Sequence, residues 1–165
     1  MEKQTINSFD ELEKKIVAFK EKHGADLSSG EDLSIAVMNL ISLEEHFFFS
    51  AMKTEKEEYL DLMEEVRETR KIMLKKLMPD NEGESWCVSK HLLAASMRLL
   101  EVGTKYRSEG KKKEAKELFE RAYKLYSLFW AVKLKLVDVS RPQKEKTFFG
   151  KIEDIVTKLV DCCKE

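Results

Sequence analysis

Turn-forming residues are nearly missing from this chain: 6 glycines and 2 prolines stand among 165 residues. A sheet protein needs a turn after every strand, whereas long helices need few, so the scarcity predicts an all-α fold of long helices joined by short loops. The length suits one domain with a core of its own.

Helix starts can be read from capping chemistry. Ser8 with Glu11, Ser28 with Glu31 and Thr54 with Glu57 each have the spacing at which a hydroxyl and a carboxylate reciprocally satisfy the free amides of a first turn. Helical periodicity then predicts helices over 9–23, 31–53, 55–78, 85–108, 112–137 and 148–163. The first buries Phe9, Leu12, Ile16 and Phe19, and the third carries Tyr59, Leu62, Met63, Val66, Met73 and Leu77 on one stripe up to Pro79. The fifth buries Ala115, Leu118, Phe119, Ala122, Leu125, Tyr126 and Phe129. "PDNEGES" is a loop, and Gly110 separates the fourth helix from the fifth. The expected architecture is a bundle of about six helices: residues 1–138 form its body, 139–147 ("VSRPQKEKT") a polar linker, and 148–165 a C-terminal amphipathic helix. Phe149, Ile152, Ile155, Val156 and Leu159 form the apolar side of that last helix.

Charge and cysteine content bound the function classes. Thirty Lys and Arg against 31 Asp and Glu leave a net charge of −1, so no whole-protein field draws the chain to nucleic acid. "KKKEAKELFER" and "RETRKIMLKK" interleave Glu and read as solvated helix faces. "MEKQTINSFDELEKK" has no apolar segment of the secretory kind, and no apolar run reaches the roughly 20 residues of a membrane span. The 3 cysteines are too few and too odd in number for a disulfide framework. A soluble protein of the reducing cytoplasm is expected. Adjacent thiols Cys162 and Cys163 suit a soft metal ion, a lipid or an intermolecular disulfide, against the simpler reading of a frayed helix end.

"SLEEHFFF", residues 42–49, sets two carboxylates and an imidazole inside an apolar helix. At about 100° per residue, Leu33, Val37, Leu40, Phe47 and Ala51 mark the inward stripe, and Glu44 falls within it while Glu45 and His46 turn aside. A buried carboxylate needs a partner. The fourth helix offers Arg98, which shares a face with Cys87 and His91, so Glu44 and Arg98 are the expected buried polar pair. Cys87 and His91, with His46 and Glu44 or Glu45, are candidate ligands of zinc or iron. The commoner reading of such a Cys and His is a small buried hydrophobe and a hydrogen-bonded histidine. A ferritin-like iron pair uses Glu-x-x-His on two helices, a spacing this chain lacks. There is also no phosphate loop, dinucleotide turn or His-Glu-x-x-His zinc helix.

"LLEVGTKYRSEGKKKEAKELFERAYKLY" resembles a tetratricopeptide (TPR) repeat, with Leu99, Val102, Gly103, Tyr106, Ala115, Phe119 and Ala122 at that repeat's spacing over about residues 96–129. The resemblance implies a helical hairpin, within 85–137, in which Gly103 and Ala115 are the small residues where the helices approach, with Tyr106 and Phe119 beside them. Ser127 stands where the repeat has a proline, and no second copy follows at that period. The chain as a whole is similar to small all-helical proteins of unknown function, on "SLEEHFFF" and "WCVSKHLLAASMRLLEVG", which implies no activity. A non-enzymatic protein-interaction or scaffold role follows as the expectation, through a protein partner or self-association. No resident cofactor is required. The candidate contact residues are Phe129 and Trp130 of "YSLFW" and the terminal stripe Phe149, Ile152, Ile155 and Leu159.

Overall fold

The computed structural model describes residues 9–23, 28–80 and 83–137. Five helices form there: α1 (Phe9–His23), α2 (Ser28–Thr54), α3 (Glu58–Leu77), α4 (Glu84–Ser108) and α5 (Lys112–Lys133). No strand occurs among the described residues. The sixth expected helix, at 148–163, and the linker before it lie outside them. None of the helices among the described residues is long and apolar enough to cross a membrane.

The helix ends show which capping expectations hold. α2 starts at Ser28, three residues before the expected 31, so Ser28 is already helical, and Thr54 ends α2 rather than opening α3. Its hydroxyl donates back to the Ser50 carbonyl at 2.7 Å. Glu55 then takes the left-handed conformation (φ 56°) and its amide donates to the Ala51 carbonyl, which closes α2. α3 begins after Glu57 with no side-chain cap. α4 closes on Gly110 (φ 80°): the Gly110 amide donates to Arg107 and the Lys111 amide to Tyr106, the paired bonds of a Schellman turn. α5 closes in the same way four residues short of the expected 137, with Lys135 (φ 55°) in the position glycine usually fills. The Lys135 amide donates to Val132 and that of Leu136 to Ala131.

α2 pairs with α3 and α4 with α5, each pair folded back through a short turn, and α2 also meets α4. The common core draws Val37 and Met38 from α2, Leu74, Leu77 and Met78 from α3 and its end, Val88, Leu92 and Leu93 from α4, and Leu128 to Val132 from α5. These positions are the start of α2, the end of α3, the start of α4 and the end of α5. The core therefore sits at one end of the molecule, and the α2–α3 and α4–α5 turns lie at the other. Tyr126 and Ser34 join α2 to α5 at the core end through their hydroxyls at 2.7 Å. The Ser34 proton is already used on the Glu31 carbonyl, so Tyr126 donates. α1 rests on α5, with Phe9 and Ile16 against the core and the Tyr123 hydroxyl donating to Glu13 at 2.9 Å. That hydrogen bond, followed by burial, raises the Tyr123 pKa.

The α4–α5 approach is set by Gly103 and by two buried alanines, Ala115 and Ala122. A methyl group at Gly103 would lie 2.6 and 2.8 Å from Cε1 and Cδ1 of the Phe119 ring. The Ser96 hydroxyl donates across the same interface to the Ala122 carbonyl at 2.8 Å. Gly103→Ala is expected to destabilise the protein by about 1–3 kcal/mol, overpacking outweighing the gain in helix propensity. Phe119→Leu in the same chain should recover part of that loss, and a double-mutant cycle of urea denaturation curves measures it. Lys135→Gly should act in the opposite direction, adding about 1 kcal/mol by relieving the left-handed lysine.

Candidate functional site

Glu44 lies on the inward side of α2, as its place in the stripe predicts, and its side chain is 17% exposed. Its partner is not Arg98. Arg70 of α3, at 1% exposure, donates from Nε to Glu44 Oε1 at 2.8 Å and from Nη2 to Oε2 at 3.4 Å, a two-point clasp between guanidinium and carboxylate. Arg70 has its own signature in the sequence. It stands four residues after Val66, seven after Met63, four before Leu74 and seven before Leu77, which places it in the apolar stripe of α3. Leu62, read into that stripe, is exposed instead.

Arg98 pairs with Glu45 of α2 and with Glu101 one turn along its own helix. Burial works against the Arg98 charge, and the two carboxylates more than offset it, so its pKa stands above the usual value. The neighbouring glutamates of "SLEEHFFF" thus reach two different helices: Glu44 binds α3 and Glu45 binds α4. His46, a further 100° round, is exposed.

The metal candidates are not gathered. Cys87 is buried, while His46 and His91 are both exposed. Among the described residues no group of three or more His, Cys, Asp or Glu is placed to hold a metal ion. The α4 face that carries Cys87, His91 and Arg98 runs from the core end outward, so residues aligned on the helix do not share an environment.

The contact surface also needs correction. Phe129 and Trp130 are core residues, packed edge to face with ring centroids 5.6 Å apart, and present no surface to a partner. Phe149, Ile152, Ile155, Leu159, Cys162 and Cys163 lie outside the described residues. An apolar surface that does face solvent is on the second half of α2: Phe48 is 43% exposed, Phe49 50% and Met52 56%. The Phe48 and Phe49 rings meet edge to face at 5.3 Å. Phe47 turns the other way, its ring 6.2 Å from that of Tyr59 on α3. Three consecutive phenylalanines sweep about 200° of a helix and cannot all face inward, which is the sequence signal for this patch. On α4, Val102 stands one turn beyond Arg98 and is likewise exposed. No protein-family profile, curated protein or solved structure matches the chain.

The Arg70–Glu44 geometry orders the effects of its mutants. Glu44→Leu leaves the deeply buried guanidinium without this carboxylate and is expected to cost about 3–5 kcal/mol. Arg70→Met should cost less, because the more exposed Glu44 keeps some water. The double variant Glu44→Leu, Arg70→Met should melt close to wild type, since an apolar pair of similar volume commonly replaces a buried ion pair without loss. Thermal melts of the three variants give the order directly.

Proposed function

We propose that this chain is a non-enzymatic protein-interaction or scaffold protein of the cytoplasm, a helical bundle in which α4 and α5 act as a single TPR-like hairpin. The observation that carries the reading is the exposed cluster of Phe48, Phe49 and Met52 on α2. Singly exposed apolar residues are ordinary on a protein surface, but adjoining aromatic and methionine side chains mark interaction sites. Aromatics carry a large share of binding energy in protein interfaces, and methionine adapts to the shape of a partner. Beside the cluster Glu45 is tied up in an ion pair with Arg98, which also holds Glu101. A protein surface with an apolar centre is the partner that suits it. The close approach at Gly103 and Phe119 supports the hairpin part of the proposal.

The test is a full-length variant carrying Phe48→Ser, Phe49→Ser and Met52→Ser. Surface substitutions mostly stay within about 0.5 kcal/mol each, so its melting curve should remain near that of wild type. Proteins crosslinked to wild type in cells should be lost from the variant. Equal recovery with both chains refutes the proposal.

A further inference from the structure

We infer that the α2 patch is the contact face for a second copy of this chain, docked antiparallel about a two-fold axis that passes beside Phe49. The inference rests on the reading of that patch as a protein-binding face, and it names the partner. What carries it is the order of charges along the face.

Glu45, Phe49 and Lys53 follow one another at intervals of four and form one ridge of α2, with Phe48 and Met52 beside Phe49. Glu45 and Lys53 each lie about 6 Å along the axis from Phe49. α4 runs beside α2 in the same direction, and along it Arg98 and Glu101 come first, then Val102, then Lys105. Arg98 is bonded to both Glu45 and Glu101, so this cluster keeps one net negative charge, and its three side chains are between 43% and 46% exposed. Lys53 and Lys105 lie on the other side of the patch, toward the α2–α3 and α4–α5 turns, and both are exposed. Glu109, whose carboxylate feels the charge of Lys105, is bonded to Lys111 instead. From the core end outward the face therefore reads acidic, apolar, basic.

Such an order is self-complementary in one orientation. Turned antiparallel, a second copy sets its Lys53 and Lys105 against the acidic cluster and its own cluster against the two lysines, while Phe48, Phe49 and Met52 meet their counterparts at the centre. Parallel docking would set cluster on cluster and lysine on lysine, which opposes association. The two-fold axis also counts every favourable charge contact twice. Phe48, Phe49, Met52 and Val102 are each only about half exposed and fall short of the roughly 800 Å² per partner of a standard interface, so the dimer is reversible and depends on concentration.

The test uses equal amounts of isotopically labelled and unlabelled full-length chain, both carrying the photo-crosslinking amino acid p-benzoylphenylalanine at Phe49. Irradiation of the mixture and peptide mapping are expected to join position 49 to residues 45–53 of a second molecule, in heavy–light pairs whose yield rises with protein concentration. The same reagent at Leu62, exposed on α3, should give none. Lys53→Glu together with Lys105→Glu should raise the dissociation constant from sedimentation equilibrium about tenfold and leave the melting curve near that of wild type. Adducts confined to single molecules, adducts to segments other than α2 and α4, no adduct at all, or equal yields from positions 49 and 62 would each overturn the inference. So would an unchanged dissociation constant in the lysine variant. The serine variant described above separates this inference from the reading it rests on. If that variant loses its cellular associations while wild type gives no heavy–light adduct, the face stands and the second copy is wrong as its occupant. If the associations persist and no adduct forms, the face itself is wrong. Heavy–light adducts with unchanged cellular associations would keep the second copy and refute a separate protein partner.

Discussion

The ion pair between Arg70 and Glu44 fixes how α2 is turned, and the rest of the surface follows from that rotation. A guanidinium taken almost wholly out of water is costly, and the carboxylate that meets it at two points offsets the cost without adding much net stability. Its effect is one of register. With Glu44 held to α3, Phe47 comes against Tyr59 of the same helix, and Glu45 turns about 100° toward Arg98 of α4. Two successive residues thus pin α2 to its two neighbours. His46 is then left in solvent, and Phe48 and Phe49 lie beyond the reach of the core. The apolar patch is a consequence of the polar pair.

The two helix pairs use different means to stay together. α2 and α3 are registered by charge, whereas α4 and α5 are brought close by what is missing from Gly103. A glycine in mid-helix costs about 1 kcal/mol relative to alanine, and here that cost allows the Phe119 ring to sit against the α4 backbone. The serine hydroxyl of Ser96, bonded to the Ala122 carbonyl, requires the same short separation. Because these devices act within each pair, the pairs need a common core only at one end. That leaves the α2–α3 and α4–α5 turns at the other end with surfaces, such as Phe48 and Val102, that the core does not reach.

Much of this was legible in the sequence because helical periodicity is local. The bounds of α1, the stop before Pro79, the break at Gly110 and the small residues of the α4–α5 approach can all be read from spacing alone. What could not be read depends on which element lies opposite. Glu44 announces its need for a cation, but Arg98 and Arg70 both lie on faces that include apolar residues, and only the packing of α3 against α2 decides between them. The depth of Trp130 is likewise a property of the assembled core. Boundaries failed where an ordinary residue took a left-handed conformation. Glu55 and Lys135 close helices without the glycine that marks such a position, so Thr54 reads as a beginning and α5 reads too long.

The same contrast runs through the polar side chains. The polar side chains with unusual environments, Glu44, Arg70, Ser34 and Tyr126, are joined to each other across helices and act on the fold. Among the described side chains, His46 and His91 are on separate helices, and both are exposed. Chemistry needs such groups to converge, whereas recognition needs only a surface of suitable shape and composition. Among the described residues, Phe48, Phe49 and Met52 stand exposed together on the helix whose Glu44 is paired with Arg70 of α3. The buried charge and the exposed aromatics are thus two expressions of one rotation of α2.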